Sequence, residues 1–112
     1  MGEEITGRFK DHEGVELFRR CRVEANDRGA LVVCHGLGEH SGRYTGVFEA
    51  ARKAGLSYFA LDHRGFGQSA GKRGVIDRFD QFLLGVRSLV EFAREKIGAG
   101  KRFFSLAIRW AV

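Results

Sequence analysis

The feature that most constrains the fold is a pair of short apolar runs separated by a glycine-rich loop and an amphipathic segment. Residues 30–34 and 56–61 are almost continuously apolar, as expected for strands covered on both faces. Ser41 is available as a helix cap and Gly55 stands where a helix would end,. Between them, apolar residues recur at helical spacing: Tyr44, Val47, Phe48, Ala51 and Ala54,. Strand, helix and strand in this order predict a parallel βαβ unit with a right-handed crossover.

The flanking segments extend this unit on both sides. Residues 5–11 and 15–23 alternate apolar and polar side chains, which predicts an opening antiparallel hairpin,. A later amphipathic helix is predicted, capped by Asp77 and ended by Gly98. Its apolar positions are Phe79, Phe82, Leu83, Val86, Leu89, Val90, Ala93 and Ile97. Residues 101–104 begin a further strand. The sequence therefore predicts one incomplete α/β domain.

Charge and composition exclude several function classes. The 19 basic residues exceed the 14 acidic ones, giving a net charge of +5, but the basic residues form small groups separated by acids, without interleaved aromatics. This distribution argues against nucleic-acid binding. No apolar run is long enough to span a bilayer, and the acidic start Met-Gly-Glu-Glu lacks the basic and apolar regions of a secretion signal, so none is expected,. Cys21 and Cys34 lie on separate predicted strands, which indicates buried reduced thiols and favours a cytoplasmic location,.

The loop after the first apolar strand is the best candidate site. His35-Gly36-Leu37-Gly38 follows directly, at the sheet edge where ligands of open α/β folds bind. The glycines on either side of Leu37 let its backbone N–H approach a substrate oxygen. Such a donor stabilises the negative charge that develops during acyl transfer, by roughly 3 kcal/mol in one studied case. We therefore predict that Leu37 is a catalytic backbone donor and that His35, Gly36 and Gly38 shape the loop.

Two extended motifs carry a family resemblance. Residues 35–44 read HGLGEHSGRY, and residues 62–74 read DHRGFGQSAGKRG. In this order and separation they resemble the monoacylglycerol lipase and lysophospholipase branch of the α/β-hydrolases, also described as serine aminopeptidase S33-like. The resemblance runs from about Thr6 to Phe104. It implies a three-layer α/β-hydrolase fold, a small lipid ester as substrate, no cofactor, and a second oxyanion donor from the residue after a nucleophilic serine.

A dinucleotide-binding module is the alternative interpretation. Gly36 and Gly38 lie between a strand and a helix, and Asp62 ends the next strand where a ribose ligand would stand,. However, Ser41 replaces the third glycine, and Glu39 would place negative charge beside a pyrophosphate. A metal site built from His35, His40 and His63 with Cys34 lacks a recognised ligand spacing, so no metal is expected.

Ser69 satisfies the G-x-S-x-G pattern of a nucleophile elbow within residues 67–71,. An elbow requires a strand immediately before the serine and a helix immediately after it. The apolar strand ends at Leu61, and residues 71–74 contain two glycines that disfavour a helix start,. We therefore predict that Ser69 is a loop residue without a catalytic role.

In the resembled family, the elbow follows the strand that begins near Phe103, usually as GHSxG. Here residues 105–112 read SLAIRWAV. One permitted set of codons for this tail is TCT TTG GCC ATT CGC TGG GCG GT, and reading that set two bases later would give FGHSLGG. We therefore expect residues 1–104 to be the N-terminal part of the hydrolase domain and residues 105–112 to be an out-of-frame tail. A tail of unrelated origin is the alternative.

This arrangement leaves no nucleophile, acid or histidine of a catalytic triad to assign, because all three follow the elbow strand in this fold. We expect the 112-residue chain to be inactive as an esterase. An unpaired strand edge and uncovered apolar faces also lead us to expect self-association.

Overall fold

The computed structural model describes residues 3–36, 39–75, 78–97 and 100–107, and the side chains of these up to Phe103. A short 3-10 helix, Ser41–Tyr44, precedes the first α-helix. The strands and α-helices are, in chain order, β1 (Ile5–Lys10), β2 (Glu16–Arg22), β3 (Gly29–Cys34), α1 (Thr45–Lys53), β4 (Ser57–Leu61), α2 (Asp80–Ile97) and β5 (Arg102–Ala107).

The strands form one mixed sheet in the order β1-β2-β4-β3-β5. β1 and β2 pair antiparallel, and β2 pairs antiparallel with β4. β3 lies between β4 and β5 and is parallel to both, with Val33 opposite Ala60 on one side and Leu106 on the other. The predicted hairpin and βαβ unit are therefore confirmed, and β3 is the central parallel strand. β5 begins at Arg102 and continues to Ala107, beyond the segment predicted for it.

Alternation along β4 separates two cores. Tyr58 and Ala60 join Val33 in a cluster with Phe48 and Ala51 of α1. The other face of the sheet carries a larger cluster that includes α2: Leu17, Cys21, Ala30, Val32, Cys34, Phe59, Leu61, Leu89 and Ala93. Because neighbouring side chains on a strand point to opposite faces, α1 and α2 cover opposite faces of the sheet. The three-layer arrangement is confirmed.

The prediction that Ser41 caps the first helix is wrong. His40 is the N-cap of the 3-10 helix, and its Nδ1 accepts a hydrogen bond from Gly42 N–H at 3.1 Å. Ser41 is buried, and its backbone N–H and its hydroxyl both donate to Asp62. The Ser41 hydroxyl therefore bonds to the buried carboxylate of Asp62, at the end of the neighbouring strand β4, and does not cap a helix.

The placement of Phe79 and Leu83 on the core face of α2 is also wrong. Their side chains are 61% and 56% exposed. Phe79 precedes the helix, which begins at Asp80. Leu83 follows the buried Phe82 by one residue, which rotates it by about 100° around the helix axis and away from the sheet. Asp77 and Gly98, predicted as cap and stop, lie outside the described residues.

Both cysteines are free and buried in the core beneath α2. Burial raises the pKa of the Cys34 thiol to about 11 and also raises that of Cys21. Both thiols therefore remain protonated near neutral pH and behave as small apolar side chains. Within the described residues, no helix combines the length and the apolar character needed to cross a bilayer.

Candidate active-site edge at the carboxyl ends of β3 and β4

His35 connects the two sequence motifs through its ring. The side chain is fully buried at the end of β3. Nδ1 lies 2.8 Å from the Gly36 carbonyl oxygen, and Nε2 lies 2.8 Å from the backbone N–H of His63. Since the His63 amide can only donate, Nε2 accepts and Nδ1 carries the proton. Burial lowers the pKa of His35, so the neutral ring is a fixed bridge rather than a proton carrier.

Glu39 holds both polar groups of Gly36. Its Oε1 accepts the Gly36 N–H at 3.0 Å, and its backbone N–H donates to the Gly36 carbonyl at 3.1 Å. Tyr44 donates its hydroxyl to the same Oε1 at 2.5 Å. The Gly36 amide is therefore engaged by the protein and is not a free donor to a ligand. Leu37 and Gly38, the other predicted site residues, lie outside the described residues.

Asp62 joins the loop after β3 to the loop after β4. It is 1% exposed at the end of β4. Oδ1 accepts the Ser41 N–H and the Ser41 hydroxyl, both at 2.7 Å, and Oδ2 accepts the Gln68 N–H at 2.9 Å. Arg20 of β2 donates Nε to the Ser41 hydroxyl at 2.9 Å. Three segments of the chain are thus tied together around one carboxylate.

Rings cover this junction on the α2 side. The His63 ring meets that of His35 edge-on at 4.4 Å and that of Phe82 at 4.8 Å, and Phe66 lies 6.1 Å from His35. Burial, and then the neighbouring His35, lower the pKa of His63 to about 3. His63 is therefore neutral throughout the physiological range, and burial lowers the pKa of the neighbouring His35 as well.

Ser69 lies in the loop between β4 and α2, with neither a strand directly before it nor a helix directly after it. This confirms the predicted local structure. The side chain is 3% exposed. Its Oγ accepts the Phe18 N–H of β2 at 2.7 Å and donates to the Asp62 carbonyl at 2.5 Å. Both hydrogen bonds attach the loop to the sheet, so the hydroxyl faces backbone rather than a base.

Arg64 anchors the same loop to the hairpin at the other end of the edge. Its guanidinium lies 2.7 Å from an oxygen of the buried Asp11 and 2.9 Å from Glu13. Asp11 in turn accepts the backbone N–H groups of Glu13 and Val15. The hairpin turn and the second motif therefore form one hydrogen-bonded unit beside the candidate site.

Sequence reasoning placed Glu39, Tyr44 and Asp62 inside quoted motifs but gave the first two no part in building the site. The available signal was their position after the glycines in the motif HGLGEHSGRY. For Asp62, the dinucleotide alternative predicted a ribose ligand. That role is contradicted, because the buried carboxylate already accepts three hydrogen bonds from Ser41 and Gln68. Among the described residues, no group of three or more potential ligands is arranged to hold a metal ion.

Residues 25–108 match the protein family described as serine aminopeptidase, S33. The chain belongs to this family. Among its relatives, the monoacylglycerol lipase of Mycolicibacterium smegmatis is 43% identical over 70 residues, which cover 62% of this chain and 25% of the lipase. The human monoglyceride lipase is 38% identical over 80 residues, covering 70% of this chain and 26% of the relative.

Solved structures place this S33 chain in the α/β-hydrolase fold. The Pyrococcus furiosus esterase Pf2001 superposes with a TM-score of 0.80 at 19% identity, over 96% of this chain and 40% of the esterase. The chain thus spans about a quarter of the length of the curated relatives named above. The matched part includes both motifs and the edge that His35 and Asp62 organise.

Proposed function

We propose that the intact protein to which this S33 chain corresponds hydrolyses a carboxylic ester of a monoacylglycerol or a lysophospholipid through a serine acyl-enzyme. The observation that carries the proposal is the clamped loop at the carboxyl end of β3, where His35 and Glu39 hold the Gly36 carbonyl. The similarity to a bacterial monoacylglycerol lipase supports the same chemistry. Glycerol ester hydrolysis needs a preorganised donor at this place, because negative charge develops on the carbonyl oxygen in the transition state.

Leu37 would supply that donor. A peptide unit is planar and trans, so a carbonyl and the N–H bonded to its carbon point in opposite directions. Two donors within the protein, His35 Nδ1 and Glu39 N–H, hold the Gly36 carbonyl. We propose that the Leu37 N–H, which belongs to the same peptide unit as this held carbonyl, is the donor that a substrate carbonyl would meet. A second donor would come from the residue after the nucleophile.

The catalytic serine, acid and histidine are not assigned to any of the 112 residues. Ser69 is excluded from the proposal because its hydroxyl is buried and bonded to backbone groups. We propose that residues 105–112 are an out-of-frame tail and that the shifted frame encodes an FGHSLGG elbow. Sequencing the gene around and beyond codon 104 tests this directly, and a shifted frame without an elbow or without a continuing open frame would overturn it.

The activity is tested with the protein translated in the restored frame. We expect it to hydrolyse a monoacylglycerol or a lysophospholipid, with loss of turnover on replacing the elbow serine by alanine. Leu37→Pro removes the backbone donor, whereas Leu37→Ala keeps it. We expect kcat to fall by roughly 10²–10³-fold in the first variant and little in the second. Equal activity of the two variants would contradict the role of Leu37.

We also propose that the 112-residue chain self-associates and resides in the cytoplasm. β5 is the last strand of the described sheet, so its outer edge offers free backbone groups,. Phe79 and Leu83 add exposed apolar surface. Sedimentation velocity should show association that weakens in a Phe79→Ser, Leu83→Ser variant. Replacing Ile5, which is similarly exposed at 62%, should have less effect. A monomer at all concentrations would contradict the proposal.

A further inference from the structure

We propose that Glu39 is a positioning residue of the loop after β3 that would bind the oxyanion, here called the oxyanion loop (residues 35–40). In this proposal the Tyr44 hydroxyl orients the Glu39 carboxylate toward the Gly36 N–H. The inference rests on the proposed function, because it assigns a purpose to the loop that would bind the oxyanion. Neither residue would touch the substrate. Both act through the peptide units on either side of Gly36.

The geometry supplies a closed set of contacts. Glu39 Oε1 lies 3.0 Å from Gly36 N, and the Glu39 backbone N–H donates to the Gly36 carbonyl at 3.1 Å. One residue therefore fixes both polar groups of a glycine, whose backbone would otherwise be the most adaptable in the loop. The Tyr44 hydroxyl lies 2.5 Å from Oε1 and 3.4 Å from the Gly36 nitrogen.

Tyr44 connects this carboxylate to a rigid part of the fold. The residue ends the 3-10 helix and directly precedes α1. Its partly buried ring packs against the core cluster of Val33, Phe48 and Tyr58 between α1 and the sheet. The Glu39 side chain is thereby held by the helical layer rather than by the loop itself. A movement of the Glu39 side chain would therefore have to break its hydrogen bond to Tyr44.

The protonation states suit this role. Hydrogen bonds from Tyr44 and then Gly36 lower the pKa of Glu39, with smaller contributions from Arg43 and His35 and an opposing effect of burial. Burial, followed by the hydrogen bond to Glu39, raises the pKa of Tyr44. The carboxylate therefore stays ionised as an acceptor, and the phenol keeps the proton that it donates. A hydrogen bond to a charged group is worth roughly twice a neutral one.

The test uses the 112-residue chain labelled with ¹⁵N, observed by NMR. In the wild type, the Gly36 amide proton signal should shift as Glu39 is protonated, with a midpoint below that of an ordinary glutamate. Tyr44→Phe should raise this midpoint. Glu39→Gln should abolish the titration and accelerate hydrogen exchange at Gly36 by roughly 10-fold, because the amide oxygen of glutamine accepts a neutral hydrogen bond in place of a charged one.

The Leu37 amide reports positioning itself. It should give one sharp signal in the wild type and a broadened or divided signal in Glu39→Gln. The matched control is Glu49→Gln, because Glu49 is an exposed carboxylate on α1 that bonds to Arg52; it should leave Gly36 and Leu37 unchanged. Core amides such as that of Phe59 check that each variant is folded.

Gly36 and Leu37 signals that are unaltered in Glu39→Gln would overturn the proposal, as would a Gly36 titration that persists in that variant. Loss of the fold in both Glu39→Gln and Tyr44→Phe would also overturn it, since the pair would then be needed for stability rather than for positioning. All readouts are amide signals and not turnover. A failure of ester hydrolysis in the restored-frame protein would therefore be recognised separately.

Discussion

Replacing Asp62 by asparagine tests whether one carboxylate holds the two motif loops together. Its oxygens accept different backbone donors, Ser41 N–H on Oδ1 and Gln68 N–H on Oδ2. Asparagine offers a single acceptor oxygen, so in either orientation its NH₂ group faces one of these N–H groups. A hydrogen bond to a charged group contributes about 1.5–3 kcal/mol. We therefore expect Asp62→Asn to lower the free energy of unfolding by about 2 kcal/mol.

Urea denaturation followed by far-ultraviolet circular dichroism measures this change. With an m-value of roughly 2 kcal/mol per molar urea, the midpoint should fall by about 1 M. Asp80→Asn is the matched control, because the Asp80 side chain is 61% exposed and pairs only at the surface with Arg78,. It should change stability by less than about 0.5 kcal/mol. Similar midpoints for the two variants would refute the structural role of Asp62.

Three further predictions follow from the same edge. Gly67→Ala should destabilise the fold, because the new Cβ would lie 2.3 Å from an Asp62 oxygen and the backbone has a φ of +53°. In the control variant Gly46→Ala, the new Cβ on α1 meets no atom within 4 Å. This control should be neutral or stabilising in the same urea assay. The purified 112-residue chain should not hydrolyse p-nitrophenyl esters, and Ser69→Ala should leave that result unchanged; turnover that this substitution abolishes would overturn the assignment of Ser69. The free energy of unfolding should fall as the pH is lowered from about 6.5 to about 3, because burial lowers the pKa of His63 to about 3 and the unfolded chain therefore binds the proton first,. His63→Gln should flatten this part of a plot of urea midpoint against pH. An unchanged slope in that variant would contradict the assignment to His63.

The strands and the βαβ unit were predictable because their signals are local. Alternation over β1 and continuous apolar character over β3 identify a half-covered and a fully covered strand without reference to other segments,. α2 was predicted for the same reason, since its apolar residues repeat at helical spacing. The face of α2 that contacts the sheet was less accurately predicted, because Phe79 and Leu83 fit the apolar repeat and yet are exposed.

The site depends on contacts that no local pattern contains. Ser41 was predicted to be a helix cap because its neighbours allow that role, but its partner Asp62 is 21 residues further along the chain. Ser69 is fixed by Phe18, 51 residues earlier. The first pairing arises because β3 and β4 are adjacent in the sheet, and the second because β2 and β4 are adjacent. Motif recognition located the right segments, and the topology determined which side chains meet.

Under the proposal that residues 105–112 are an out-of-frame tail, β5 could form even though the nucleophile is lost. β5 pairs in parallel with β3 as far as Ala107 opposite Cys34, and this ladder is made of backbone groups that most side chains permit. An elbow is different, because its sharp turn from strand to helix depends on glycines close to the serine. Residues 105–112 contain no glycine, whereas the shifted frame would restore three. A frame change after Phe104 would therefore leave the β3–β5 ladder intact and remove the nucleophile. We therefore expect the β3 and β5 amides of the 112-residue chain to be protected from hydrogen exchange, although the chain has no esterase turnover.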